Sequence, residues 1–175
     1  LEPAAYEKIL TNSGGDTSIL GYKVNKYFPG GYLIVEEGKI KGIIEKPGEG
    51  KEPSNQINIV VHLHRRTDEL IGYLEETESE RDDVYERAMD RMIRDGFDFR
   101  VIKYDGFWTA IKYPWHILNA MAYFLDKIDK KDINDVKIPE SAKIEGKVIL
   151  EEGAKIFDNV VIKGPAYIGQ DSVIG

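Results

Sequence analysis

The chain has 175 residues, 42% hydrophobic and 31% charged, with a net charge of −7 and no cysteine. That length and mixture fit one domain or two small ones around a buried core, and exclude a disordered or fibrous chain. Interspersed acids and bases argue against a nucleic-acid or anionic-membrane surface, and the lack of cysteine excludes disulfides, thiolate metal sites and a cysteine nucleophile. No apolar run approaches the roughly 20 residues of a membrane span and no signal-type segment is recognised, so the cytoplasm is the expected location. Leu1 in place of methionine, and Gly175 inside a repeat, read as the ends of a fragment.

In chain order, "NSGGDTS" around Gly14 and Gly15 lacks the G-x-G-x-x-G and Walker A spacings and reads as a flexible surface loop. "GYLIVEEGKIKGIIEKP" predicts two strands joined at Glu37-Gly38, and "INIVVHLH" a buried strand from Ile57 to about Leu63. A short helix is expected near Glu69 to Glu75. Ser79 is placed to cap a longer one with Asp82 as the capping-box acid, Val84, Ala88 and Met92 on one face, and Gly96 as terminator. "FDFRVIKYDGFWTAI" alternates like a strand, and Pro114 suits the first turn of a final helix bearing Ile117, Leu118, Met121, Leu125 and Ile128. "DKIDKKDIND" is a polar linker. About three strands before Ser79 would make a thin sheet, which suggests missing structure on the amino-terminal side.

The last forty residues repeat. Isoleucine or leucine recurs at Ile138, Ile144, Leu150, Ile156, Ile162, Ile168 and Ile174. Two places before each stands a smaller residue: Val136, Ala142, Val148, Ala154, Val160, Ala166 and Ser172. This is the hexapeptide repeat of a parallel β-helix, whose large aliphatic residues point to the axis.

An α/β layer with E-K-P closing one strand, S-N-x-x-N starting the next, a P-W helix start and then hexads resembles the sugar-1-phosphate nucleotidyltransferases, or NDP-sugar pyrophosphorylases. The match covers most of the chain. It implies the second half of a Rossmann-like catalytic domain over residues 1–130 and the first coils of a left-handed β-helix over 131–175. It also implies enzymes that join a nucleoside triphosphate to a sugar 1-phosphate with release of pyrophosphate, use Mg2+, and assemble as homo-oligomers. Carried over by position, Glu45 binds sugar hydroxyls, Lys46 holds the sugar phosphate as the catalytic cation, and Asn58 lines the sugar pocket. An ammonium beside a phosphate makes charge-assisted hydrogen bonds and offsets the charge that impedes attack. On spacing alone, a surface Glu45–Lys46 ion pair before a hairpin loop is the more common outcome.

Several positions depart from the family pattern. Its magnesium aspartate falls on Ala110, which offers no oxygen to a hard cation. The glycine of its N-A-G stretch is Val60, expected to crowd the sugar, and the glutamate that opens its helix has only Asp83 as a counterpart. Asp105 is a poor substitute for the lost ligand because on a strand its offset from Ala110 faces the wrong side. Two readings therefore stand: part of a working nucleotidyltransferase, itself inactive for lack of a phosphate-cradling loop, or a diverged regulatory or structural paralogue. A hexapeptide-repeat acyltransferase needs a histidine in the coils, and all three histidines precede residue 117. His62 and His64 alternate on one strand but lack a third metal ligand and read as surface or edge histidines. Phe97, Phe99, Phe107, Trp108 and Trp115 read as core and packing aromatics, and the acids from Glu75 to Asp83 as a solvated segment.

Overall fold

A computed structural model describes residues 1–129, 131–133 and 135–175; Lys130 and Asn134, in the segment read as a linker, lie outside the described residues. The chain divides into two compact units, Leu1–Trp108 and Thr109–Gly175. Among the described residues no helix is long and apolar enough to cross a membrane.

The first unit is mixed α/β. Its elements are α1 (Pro3–Asn12), β1 (Thr17–Lys23), β2 (Gly31–Glu36), β3 (Lys39–Glu45), β4 (Gln56–His64), α2 (Thr67–Glu75), α3 (Val84–Arg94) and β5 (Phe99–Tyr104). The five strands close into a ring in the order β1-β4-β2-β3-β5. Most pairings are antiparallel, and β1 with β5 is the parallel one. Two seams rest on one residue pair each, Tyr32 with Ile57 and Lys39 with Arg100.

Two apolar clusters hold this unit. One gathers Ile19, Leu33, Ile40, Ile43, Phe99 and Val101 with Leu70 of α2 and Met89 and Met92 of α3. The other gathers Leu20, Tyr32, Ile57, Ile59 and Tyr104 with Ala5 and Ile9 of α1. Alternation along each strand supplies both sets, since neighbours such as Ile19 and Leu20 point to opposite faces. The β2–β3 hairpin turns on Glu37 at φ 47° and Gly38 at φ 80°, the two positive angles of a tight two-residue turn. Asp90 of α3 docks against β3 by accepting the Ile43 N–H at 3.1 Å.

Several expectations are corrected. Thr17 and Ser18 are not loop residues but open β1, fully buried, so four strands precede Ser79 rather than three. Helix α1 carries only two buried apolar residues, Ala5 and Ile9, too few to stand out as a period. Ser79 does not cap α3: the helix begins at Val84 with Asp83 at the cap position, and Ser79 donates to the Asp83 carboxylate. Gly96 does end that helix at φ 97°, with the Phe97 N–H reaching back to the Met92 carbonyl at 3.1 Å. Strand β5 stops at Tyr104, so Asp105 and Ala110 lie off it and the facing argument between them has no basis. Asp105 is instead an exposed partner of Lys8 at 3.5 Å. Phe99 is core and Trp108 packs on Tyr22 and Phe28, whereas Trp115 is exposed.

The second unit holds α4 (Pro114–Asp126) and six short strands, β6 (Lys143–Glu145), β7 (Val148–Leu150), β8 (Lys155–Ile156), β9 (Val161–Lys163), β10 (Ala166–Ile168) and β11 (Val173–Ile174). Each of β6, β7 and β8 pairs in parallel with the strand eighteen residues on, giving three two-stranded sheets. Eighteen residues are three hexads, so each parallel pair joins strands three repeats apart. Every aliphatic hexad position from Ile138 to Ile174 joins one cluster around fully buried Val148 and Leu150. Asp135, Gly153 and Asp171, also eighteen apart, all take positive φ, at 58°, 79° and 57°, and Asp171 lies against Gly153.

Leu150→Ala should destabilise this unit by about 2–5 kcal/mol in chemical denaturation, the cost of an unfilled core cavity, while Val161→Ala on its exposed face should cost less than about 0.5 kcal/mol. Equal effects would mean the hexad residues do not form the core.

Candidate functional site

Glu45 and Lys46 stand where β3 ends. The Lys46 N–H still bonds the Gly30 carbonyl at 3.1 Å, but its φ of 46° turns the chain out of the strand into Pro47 and a loop that Gly48 and Gly50 bend at positive φ. The Lys46 ammonium lies 3.2 Å from a Glu45 carboxylate oxygen; the Glu45 side chain is largely buried and that of Lys46 half exposed. This pairing, with Asp82 and Glu86 adding, holds the Lys46 ammonium above its ordinary value.

Gly31, directly across from Glu45, brings the rest of the site together. A Cβ at Gly31 would lie 3.1 Å from a Glu45 carboxylate oxygen, 3.7 Å from the Asn58 Cβ and 3.7 Å from the Glu86 Cγ. The missing side chain is what lets β2, β3, β4 and α3 converge. All three sequence candidates, Glu45, Lys46 and Asn58, therefore share one neighbourhood. Glu86 joins them and was missed; the carboxylate near the site comes from the first turn of α3, not from Asp83. Burial raises the Glu86 carboxyl above its usual range, with Glu45 and Asp82 adding and Lys46 opposing.

Asn58 is fixed by a chain of neutral groups. Its Oδ1 accepts the Val60 N–H at 2.7 Å, which settles which end of the amide is oxygen, and also receives His62 Nε2 at 2.7 Å. His62 Nε2 must then carry the proton, so His62 Nδ1 accepts from the Tyr85 hydroxyl at 2.6 Å. The Tyr85 oxygen accepts in turn from His64 Nε2 at 2.8 Å, and His64 Nδ1 accepts from the Thr17 hydroxyl at 3.0 Å. Each group donates once, and the direction is set at Asn58. Burial, with His64 adding, depresses His62 to about 3, burial lowers His64, and burial with Glu86 pushes Tyr85 up to about 12. These histidines are partners of the site, not the surface or edge residues expected. With Oδ1 saturated and Asn58 buried, the amide nitrogen is the end left for a ligand.

Val60 occupies the irregularity in β4 where pairing with β1 shifts between Ile19 and Gly21. Its φ is 58° and its side chain 74% exposed. A β-branched residue is strained there, whereas glycine is not. That backbone angle is what delivers the Val60 N–H to Asn58, and a glycine here would hold it without the strain. Ala110, in the second unit, carries only a methyl, and among the described residues no group of three His, Asp or Glu gathers to hold a metal. A methyl cannot ligate a hard cation, so Ala110 does not fit the role of a magnesium ligand.

Val60→Gly should stabilise the first unit by about 1 kcal/mol in urea denaturation by removing that strain. Because His62 stays neutral in the fold but charges near pH 6.5 when unfolded, stability should fall as pH drops from 6.5 toward 3, by up to about 1.4 kcal/mol per unit. His62→Gln should flatten that slope in pH-dependent unfolding.

No family model matches the chain. It is 34% identical over 151 residues to the bifunctional sugar-1-phosphate nucleotidylyltransferase/acetyltransferase of Sulfurisphaera tokodaii, covering 84% of this chain and 36% of that protein. The bifunctional protein GlmU of Methanococcus maripaludis strain S2 is 35% identical over 136 residues, 75% of this chain and 32% of its own length. That of Methanocaldococcus jannaschii is 36% identical over 123 residues, 70% and 29%. The chain thus spans about a third of the curated relatives it matches. A solved Bacillus anthracis structure, described as a glucose-1-phosphate thymidylyltransferase in complex with a sucrose, superposes with a TM-score of 0.51 at 17% identity, over 78% of this chain and 50% of that one, a likeness of fold alone. On these grounds the chain belongs to the sugar-1-phosphate nucleotidyltransferase family.

Proposed function

We propose that the chain supplies the sugar-phosphate half of a nucleotidyltransferase site, in a protein that joins a nucleoside triphosphate to a sugar 1-phosphate and releases pyrophosphate. The observation that carries this reading is the convergence of Glu45, Asn58 and Glu86 on Gly31, with Lys46 beside them. Carboxylates accept from sugar hydroxyls, the Asn58 amide nitrogen donates to one, and Lys46 meets the phosphate by sharing its protons between it and Glu45. The chain's part is binding and orientation, and positioning with electrostatics makes up most of phosphoryl-transfer catalysis. On this reading Glu45 and Lys46 form the rim of the sugar-phosphate site, and the glycine loop after Pro47 covers it.

Residues 1–130 then form a Rossmann-like nucleotidyltransferase half and 131–175 a left-handed β-helix, whose open strand edges favour a homo-oligomer. Mg2+ remains what the resemblance implies for the family, while Ala110 favours a second reading, a diverged paralogue that binds but does not turn over. Under both readings this 175-residue chain is inactive, since it carries no phosphate-cradling glycine loop. Calorimetric titration with sugar 1-phosphates should detect binding that Lys46→Ala weakens by about tenfold, the worth of one charge-assisted contact. Binding unchanged by Lys46→Ala and by Glu45→Gln would sink the assignment. Pyrophosphate release by the chain would refute the inactivity.

A further inference from the structure

A second hollow in the first unit is lined by Lys8, Lys23, Gln56, Lys103 and Asp105, with Tyr22 and Tyr104 in its walls. Its volume is about 330 Å3, at the small end of ligand pockets. It shares no lining residue with Glu45, Lys46 and Asn58. Strand pairing builds it: Gln56 of β4 lies directly across from Lys23 of β1, and Gly21 of β1 directly across from Lys103 of β5. Because cross-strand partners share a face, Gln56, Lys23 and Lys103 line one side of three adjacent strands.

Two features mark this hollow as built for a ligand. Gln56 as a residue is only 8% exposed, but its carboxamide, which forms no side-chain hydrogen bond among the described residues, opens onto the hollow. A carboxamide that opens onto a hollow offers a ligand two donors and an acceptor. Around it are three lysines against one aspartate, in a chain whose net charge is −7. Lys23 and Lys103 form no ion pair among the described residues, and Asp105, at 3.5 Å from Lys8, is almost wholly exposed. Lysines that line the same hollow as a free amide suit an oxyanion of two or more charges.

We infer that this hollow binds a small phosphorylated anion, with Gln56 donating to a phosphate oxygen and Lys23 and Lys103 neutralising it. The anion is either free diphosphate or the phosphate end of a larger metabolite, and the two are separable by experiment. Gln56 and Gln170 are the chain's only glutamines, so the Gln56 side-chain amide is readily resolved by nitrogen-15 NMR. Titration with inorganic diphosphate should shift the Gln56 amide and leave that of Gln170 in place. The exposed double substitution Lys23→Gln with Lys103→Gln should weaken this binding by about tenfold or more, and Lys46→Ala should leave it unchanged. Parallel titrations with a sugar 1-phosphate and a nucleoside diphosphate identify the source: tighter binding than inorganic diphosphate assigns the larger metabolite, and weaker binding assigns the free anion. The inference is overturned if none of the three anions moves the Gln56 amide, if the double variant binds as the parent does, or if Lys46→Ala abolishes the shift.

Discussion

Asn58 Oδ1 is the atom on which the first unit's chemistry rests. It takes one hydrogen bond from the backbone of its own strand and one from His62, and so fixes both the bend of β4 and the orientation of its amide. The backbone bond requires the left-handed conformation at Val60, which shifts the pairing of β4 with β1. The side-chain bond reaches through Tyr85 to His64 and Thr17, tying together β4, α3 and β1. A charged histidine inside such a chain would offer a second proton where an acceptor is needed. Burial keeps both rings neutral and the order of donors intact.

The surroundings of Lys46 give the same region a particular electrostatic character. One ammonium faces Glu45, with Asp82 and Glu86 nearby, so acids outnumber bases there. The hollow at Gln56 has the opposite balance. One sheet thus carries two neighbourhoods of contrary charge on strands that are adjacent in space, and short-range side-chain placement, not net charge, separates them.

Much of this was legible in the sequence. The β2–β3 hairpin follows from Glu37-Gly38, the end of α3 from Gly96, and the shared apolar cluster of the second unit from its unbroken six-residue period, because each rests on local chemistry that a single window contains. The association of Glu45, Lys46 and Asn58 came from resemblance, and the convergence on Gly31 agrees with it. What escaped was set by long-range contacts. Helix α1 buries only Ala5 and Ile9, Thr17 and Ser18 look like loop residues until β4 and β5 flank them, and Glu86 enters the site only through the docking of α3. His62 and His64 looked peripheral because Tyr85, more than twenty positions away, is what joins them.

The bend that recurs at Asp135, Gly153 and Asp171 has a bearing on how such a coil changes over time. Each of these residues takes the same positive-φ bend eighteen positions from the next, so the backbone keeps count. Loss or gain of a single residue between bends would rotate every later aliphatic side chain off the axis, whereas a whole circuit can be added or removed with the stacking intact. The length of the coil is therefore adjustable only in steps of eighteen residues, or by loops extruded at its bends.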